Sequence, residues 1–266
     1  TRLQGDWSSD VCSSDLWDRT LLFGAMTPLE VVQQTSATVG SVGAAFYFHP
    51  DTLARGKAAG LDGFRMYVLG RGGPLGDVES DVVVSAFGYF APGLVAKIWT
   101  SAKEIMSPRD AGTLYMECAA ALGTATLSGV DGLGEFNTAA EKVIDAVDRS
   151  ALALFAAVAA EPRTDDPAGR AYQNIVVLRE LRGSVHLLAL AAQGLRAETA
   201  HRIKRPDDVA TFGWPTEIEP TSEERAQWDA AEALTDQLLV APYSVLGDDE
   251  AAALVTVIEA AGAAFG

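Results

Sequence analysis

The chain has 266 residues, 48% of them hydrophobic, and a formal net charge of −16. This apolar content is ample for the core of one large domain or two modest ones. The acidic balance weighs against broad affinity for nucleic acid, because phosphate binding needs a concentrated positive surface. No uninterrupted apolar run reaches bilayer-spanning length, so we expect no membrane insertion and a cytoplasmic protein.

Residues 1–16 resemble the translation of an indexed adapter used in short-read sequencing, fused in frame to a gene. Such scars are set aside before fold reasoning. We therefore predict that residues 1–25 are non-native and that the natural protein starts at Met26. The remaining chain holds one cysteine, Cys118, which excludes an internal disulfide and a cysteine-based metal site.

Prolines, cap residues and glycines mark the starts and ends of many helices, and we predict an all-α fold, an irregular multi-helix bundle. Residues 82–84 are a candidate strand because they are β-branched, and 70–76 are a predicted loop because they hold four glycines and a proline. Capping signals stand at 107–110 and at 221–224. The predicted helices cover 28–46, 51–59, 61–69, 92–99, 108–127, 137–160, 165–194, 195–203, 221–240 and 248–265.

The most informative chemical pattern lies on one of these helices. Arg179, Arg182 and His186 stand at i, i+3 and i+7, so they share one face, while Glu180 points about a quarter turn away. They could wall a pocket in which guanidinium groups hold a carboxylate or phosphate beside a titrating imidazole. The alternative is an internal network that ties neighbouring helices to acidic partners. Gly183 costs about 1 kcal/mol relative to alanine, which is tolerable if another backbone or a ligand approaches closely there.

A second cluster combines aromatic and cationic side chains: Tyr47 and His49, followed by Arg65, Tyr67 and Arg71. On a helix, Tyr67 and Arg71 share a face. These groups could cradle an organic anion, and a packed core with polar tips at its edge explains them equally well.

Other chemistry finds little support in the sequence. Neighbouring arginines make His186 a poor metal ligand, so neither a metal nor another cofactor is expected. Residues 71–76 lack the Gly-Lys-Ser/Thr ending of a phosphate loop, and there is no nucleophile elbow. Nothing in the spacing of the acidic residues separates a catalytic pair from a solvated acidic face.

The only dense basic stretch is 201–205, which holds Arg202, Lys204 and Arg205. These side chains could contact phosphates. Cations at a helix C-terminus, where they complement the helix dipole, are the more common explanation.

Several segments spread over most of the chain carry a recognisable pattern: Gly-Leu-Asp-Gly-Phe-Arg at 60–65 with Tyr67 and Arg71, Pro-Leu-Gly at 74–76, Phe-Gly-Tyr-Phe-Ala-Pro at 87–92, Leu-Arg-Glu-Leu-Arg-Gly at 178–183 with His186, Ala-Leu at 189–190, and Leu-Thr-Asp at 234–236. In these segments the chain resembles an actinobacterial family of helix-turn-helix-like proteins with a MarR-like winged-helix region towards the C-terminus. The resemblance implies a mainly helical fold. That family has no settled biochemical activity, so no catalytic residue is inherited from it.

The chain departs from the winged-helix pattern where DNA binding would lie. A winged helix needs two adjacent helices and a hairpin after the basic stretch, whereas 204–221 is short and broken by three prolines. We therefore expect a reduced winged helix. The resulting division is 1–25 as non-native, 26–195 as a helical bundle with a candidate pocket, and 196–266 as a helical region related to a winged helix.

Three functional hypotheses follow. In the first, the protein binds a small organic anion through Arg182 and Arg71, oriented by His186 and Tyr67, and has reduced or absent DNA binding. In the second, a MarR-like regulator contacts DNA near 196–230, and a homodimer joins two copies of the basic stretch. In the third, an enzyme uses His186 as a general base, which requires a cleft that solvent can reach.

Overall fold

The computed structural model describes residues 26–266, so our interpretation of residues 1–25 lies outside the described residues. Within residues 26–266 the chain forms helices and no strand, which confirms the all-α prediction. The helices are α1 (Pro28–Val42), α2 (Pro50–Ala58), α3 (Gly63–Gly72), α4 (Ser80–Phe87), α5 (Pro92–Lys103), α6 (Pro108–Leu127), α7 (Leu133–Asp145), α8 (Ala153–Ala159), α9 (Pro167–Ala192), α10 (Ala197–Lys204), α11 (Ser222–Tyr243) and α12 (Asp248–Phe265).

Local capping chemistry starts the helices where the sequence predicts it. The hydroxyl of Ser107 accepts from the backbone N–H of Asp110 at the start of α6, directly before the proline at N1. Thr221 and Glu224 form a reciprocal capping box at the start of α11. Both predicted helix starts are confirmed.

The 26-residue helix α9 lies at the centre of the bundle. It packs against α6, α7, α11, α8 and α1, so it has buried residues on all sides. Its own apolar side chains, from Ala168 to Val185, belong to the main core. A smaller apolar cluster joins the C-terminal end of α9 to α10 and α11.

The predicted loop at 70–76 is wrong in its first half, because α3 continues through Gly72 and a 3-10 turn follows. The glycines serve close packing here rather than chain reversal. A Cβ at Gly70 would lie 2.6 Å from the ring of Tyr115, and one at Gly73 would clash with the carbonyl oxygen of Pro108. Helices α3 and α6 can therefore approach each other only because these side chains are absent.

Three further predictions need correction. Residues 82–84 are not a strand but the middle of α4, since Val83 packs into the core at helical spacing. The helix predicted over 137–160 is divided into α7 and α8 by a turn that contains Ala151 at a φ of 61°. The helix predicted over 221–240 extends to Tyr243, with Pro242 inside its last turn.

Residues 206–214, which we call the strap, fold back onto the turn between α4 and α5. The ring of Phe212 stacks on that of Phe90 with centroids 4.1 Å apart. The indole N–H of Trp214 donates to the carbonyl oxygen of Tyr89 at 2.8 Å. The sequence between α10 and α11 therefore forms neither a wing nor a recognition helix.

The proposed boundary at 195/196 stays a prediction. The main core includes Leu239 of α11 and Leu254 of α12 together with residues of α1 to α9. Among residues 26–266, no helix combines the length and apolarity that a bilayer crossing requires.

Two glycine-to-alanine substitutions with opposite expected effects on stability test the packing of the core. Replacement of Gly73 by alanine should lower the free energy of unfolding by about 1–3 kcal/mol, because the new methyl group overpacks the α3–α6 contact. Gly183 of α9 has no atom within 4 Å of its Cβ position, so the close approach expected there is absent. Gly183→Ala should therefore raise stability by up to about 1 kcal/mol. Urea unfolding measures both, and equal effects of the two substitutions would contradict this packing.

Candidate functional site

The polar residues at the middle of α9 form two adjoining clusters inside the bundle, and neither matches the single face predicted. The first, which we call the glutamate cluster, consists of Tyr47, Arg71, Arg179 and Glu180. The guanidinium group of Arg71 donates two hydrogen bonds to Glu180. Nε donates to Oε1 at 3.0 Å, and Nη2 donates to Oε2 at 2.8 Å. Arg179 and the hydroxyl of Tyr47 each donate to Oε1 of Glu180 at 3.0 Å. Glu180 is 2% exposed, so this network is part of the interior.

The electrostatics of the glutamate cluster favour the charged carboxylate. Burial acts to raise the pKa of Glu180, but the two guanidinium groups outweigh it and the pKa falls to about 2. Arg71 also lies over the ring of Phe87, 4.4 Å from its centroid, and donates to the hydroxyl of Tyr67 at 3.2 Å. The predicted contact between Tyr67 and Arg71 is thus present.

The second group, which we call the histidine cluster, joins α9 to α11 and consists of Arg182, His186, Glu232, Thr235 and Asp236. Arg182 donates to Oε2 of Glu232 at 2.6 Å and lies 3.6 Å from Oδ1 of Asp236. Nδ1 of His186 lies 2.8 Å from the hydroxyl of Thr235. Arg182 therefore faces carboxylates, as in the network alternative.

The hydrogen bonds of Thr235 assign the tautomer of His186. The Thr235 hydroxyl donates to the carbonyl oxygen of Ala231 at 2.7 Å, so it accepts from Nδ1–H of the imidazole. Nε2 then carries the lone pair. Burial lowers the pKa of His186 to about 4, with Glu232 opposing and Arg182 adding to the shift, so the ring is neutral at pH 7. Its Nε2 is 3.8 Å from Oε1 of Glu232, which is not an ion pair while the ring is neutral.

Three buried polar atoms of the histidine cluster have no hydrogen-bond partner among residues 26–266: Nε of Arg182, Nε2 of His186 and Oδ1 of Asp236. Folded proteins leave few such groups unsatisfied. The glutamate cluster, in contrast, satisfies its carboxylate completely.

The predicted grouping of Arg179, Arg182 and His186 is therefore wrong in one member. Arg179 turns towards α1, where it donates to the carbonyl oxygen of Gly40 at 3.3 Å, and towards Tyr47, 4.8 Å from the ring centroid. Only Arg182 and His186 face α11. The cause is that α9 is packed on all sides, so residues 179 and 182 meet different neighbouring helices.

A third feature is open to solvent. A groove of about 990 Å³ runs between α2, the start of α3 and α5. Its lining includes the aromatic rings of Phe48 and Phe64 and the cationic side chains of Lys57, Arg65 and Lys97. Of the residues predicted to bind a ligand, only Arg65 lines this groove.

The other predicted residues have local partners. Nδ1 of His49 accepts from the backbone N–H of Asp51 at 3.3 Å and caps α2. Arg202 is 3% exposed at its side chain and donates to Glu198 at 2.9 Å. Lys204 and Arg205 have weaker contacts: Lys204 lies 5.8 Å from the centroid of Trp228, and Arg205 lies 3.9 Å from Asp208. The three basic residues therefore do not form a free positive strip.

Sequence reasoning missed two kinds of residue. Glu180, Glu232 and Asp236 are the carboxylates that hold the arginines, and Lys57 and Lys97 are the cations of the groove. The available signal for Glu180 is an acidic residue beside an arginine in an otherwise apolar stretch, Leu-Arg-Glu-Leu at 178–181. Across 26–266, no group of three or more His, Cys, Asp or Glu side chains is arranged to hold a metal ion.

A comparison with known families gives one finding. A model described as a helix-turn-helix family matches residues 32–210, which is more than half of the chain. The chain belongs to this helix-turn-helix family. No curated protein and no solved structure matches it. Membership suggests a relative of DNA-binding regulators, and the matched range ends inside the strap.

A short turn joins α2 to α3. Four residues, 59–62, separate these helices, and Gly60 takes a φ of +86° in the turn. In α3, residues 66–72 are all buried. Only the start of α3, with Phe64 and Arg65, remains open, and it faces the groove.

The glutamate cluster predicts a large and pH-dependent stability effect. Glu180→Gln leaves the buried guanidinium group of Arg71 and the partly buried one of Arg179 without a counter-charge, so the free energy of unfolding at pH 7 should fall by about 3–5 kcal/mol. The pKa of Glu180 in the folded protein, about 2, lies below the ordinary value of 4.5, so this stabilisation is complete above pH 4.5 and is lost as the pH falls towards 2. The unfolding free energy of the Glu180→Gln protein should lack this decrease between pH 4.5 and pH 2.

Urea unfolding at several pH values measures both effects. The matched control is Glu259→Gln on the exposed face of α12, which should stay within about 0.5 kcal/mol of the parent. A Glu180→Gln protein as stable as this control would contradict the role given to the glutamate cluster.

Proposed function

We propose that this helix-turn-helix family protein binds a small organic anion in the groove between α2, α3 and α5. The observation that carries the proposal is the combination of exposed aromatic rings with Lys57 and Lys97, which form no ion pair among residues 26–266. Ligand sites are concave, largely apolar and of about 300–1,000 Å³, with a few polar groups that fix orientation, and this groove fits that description.

The charges of the groove favour an anion. The carboxylate of Asp62 pairs with Arg65 and is the single acidic group of the lining. Lys57 and Lys97 form no ion pair with any residue in the range 26–266. The chain as a whole carries −16, so a local positive surface stands out against an acidic background and would attract anions there.

The aromatic side chains favour a ligand with an apolar or ring-shaped body. Phe48 is 49% exposed and Phe64 is 41% exposed, and their rings meet edge to face with centroids 5.7 Å apart. Large aromatic side chains that remain in water next to cations provide both an apolar surface and a charge complement.

The hypothesis that Arg71 and Arg182 hold the anion is replaced by this one. Both guanidinium groups already face carboxylates, and an organic anion would have to compete with Glu180 or Glu232 for them. We propose no reaction for His186, because the ring is 4% exposed and a general base must reach its substrate.

An anionic dye and its neutral analogue test the groove. We expect 8-anilinonaphthalene-1-sulfonate to bind about tenfold more weakly to the Lys57→Gln, Lys97→Gln double variant, because two exposed charge contacts of up to about 0.7 kcal/mol each are lost. N-phenyl-1-naphthylamine has the same ring system without the sulfonate, and its affinity should change less than about twofold. Fluorescence titration measures both dyes.

The matched control is Lys142→Gln, which lies on α7 outside the groove and pairs with Glu250. It should leave both dyes unaffected. An equal loss of affinity for the two dyes, or no loss for the sulfonate, would rule out an anion site at Lys57 and Lys97.

DNA binding through residues 196–230 is the alternative that family membership favours, and we propose that this chain has lost it. The burial of Arg202 and the acidic charge of the protein argue against it. Fluorescence anisotropy with a DNA duplex at about 50 mM salt should show no saturable binding. Low salt strengthens the DNA affinity of any protein that contacts phosphates, so this condition favours detection. Saturable binding that Lys204→Ala and Arg205→Ala both weaken would overturn this loss.

A further inference from the structure

A second open cavity, which we call the trough, lies between α4 and the C-terminal half of α9. Its volume is about 660 Å³, within the range of small-ligand sites. Residues around the starts of α8 and α10 complete its lining. The trough shares no lining residue with the groove between α2, α3 and α5, so the two cavities are separate.

The trough residues of α9 share one face of that helix. They stand at i, i+3, i+4 and i+7, and they are Ser184, Leu187, Leu188 and Ala191. An apolar face with this period normally packs against a neighbouring element. Leu188 is instead 40% exposed, although it lies between residues of the core.

The opposite rim of the trough belongs to α4, which packs against α5 and α8. Val82 lies on this rim and is 43% exposed. The two helices meet at the end of α4, where a Cβ at Gly88 would lie 2.4 Å from the side chain of Leu187. Two large aliphatic side chains, one from each helix, thus remain in water beside a cavity, which is typical of a binding surface.

The chemistry of the lining favours an aliphatic chain. The side chains are those of leucine, valine, alanine and glycine, with the hydroxyls of Ser85 and Ser184 and no aromatic ring. Ser184 is 8% exposed, so it lies at the floor of the trough. A ring-shaped ligand would find no ring here on which to stack, in contrast to the groove with Phe48 and Phe64.

The charge of the lining favours a cation. Its single charged side chain is the carboxylate of Asp81, in the first turn of α4. Arg196, whose neighbours 195 and 197 both line the trough, lies 3.2 Å from Glu198 and is not part of the lining. The chain as a whole carries −16, so the surrounding potential also attracts cations and repels anions.

We infer that the trough binds an aliphatic amine in its protonated form. The alkyl chain lies against Leu187 and Leu188, and its removal from water supplies most of the affinity. The ammonium group donates to the carboxylate of Asp81 at the rim, where it keeps contact with water and loses little solvation. This site differs from the groove in position, in ligand charge and in the shape of the ligand body, so either can fail without the other.

Three eight-carbon probes that differ in the head group test the inference: octylammonium, octan-1-ol and octanoate. Calorimetry on the unsubstituted protein at pH 7 should show saturable binding of octylammonium, about twofold to fivefold tighter than that of octan-1-ol, because one exposed charge contact is added. Hexylammonium should bind at least about tenfold more weakly than octylammonium, because two fewer methylene groups leave water.

Two neighbouring alanines of α9 provide a matched pair of variants. Ala191 and Ala192 are both exposed, and only Ala191 lines the trough. Ala191→Phe should occupy the trough and weaken octylammonium binding at least about tenfold, whereas Ala192→Phe should change it less than about twofold. Asp81→Asn should weaken octylammonium about twofold to fivefold and leave octan-1-ol within about twofold. Any binding of octanoate should be insensitive to Ala191→Phe.

Four results would overturn the inference. They are the absence of saturable octylammonium binding, octan-1-ol or octanoate binding at least as tightly in the trough, equal effects of Ala191→Phe and Ala192→Phe, and a dimer in sedimentation that Ala191→Phe dissociates. The last would assign the trough to a second copy of the chain. The probe series on the unsubstituted protein decides the question even if a variant does not fold. Failure of octylammonium with an intact lysine effect in the groove leaves the proposed function standing.

Discussion

The burial of α9 on every side is the constraint on which the rest of this structure depends. A helix packed against six others needs partners for each polar group at its centre, because an unpaired buried charge is far more costly than a paired one. The chain meets this requirement through Arg71 from α3, Tyr47 from the segment after α1, and the acidic residues of α11. Those three regions are thereby tied to the central helix.

The two clusters on α9 meet the constraint to different degrees. In the glutamate cluster both oxygens of Glu180 are fully bonded, so the cluster is a structural joint between α3 and α9. In the histidine cluster the tautomer of His186 directs a lone pair towards Glu232, and buried atoms remain without partners. The first cluster therefore fits a stabilising role, and the second is the less completely bonded of the two.

Membership of a helix-turn-helix family describes the scaffold, and the surface features decide how that scaffold is used. Most of α3 packs into the core, and the strap covers the α4–α5 turn. The groove between α2, the start of α3 and α5 remains exposed, with two lysines and two phenylalanines in its lining. These are the features on which the proposed anion site rests.

The sequence by itself determined the helical class and many helix starts, because caps such as Ser107 and Thr221 act over three or four residues. It also singled out Arg182, His186 and the pair of Tyr67 and Arg71 as chemically unusual. It could not assign their partners, since Arg71 and Glu180 meet across 109 positions and His186 and Thr235 across 49. The role of the glycines at 70–76 could not be predicted for the same reason. Local propensity favoured a loop there, and the glycines serve close packing because helix α6 lies against Gly70 and Gly73. Which charges are neutralised and which stay free is a property of helix packing, and so the tertiary structure alone decided it.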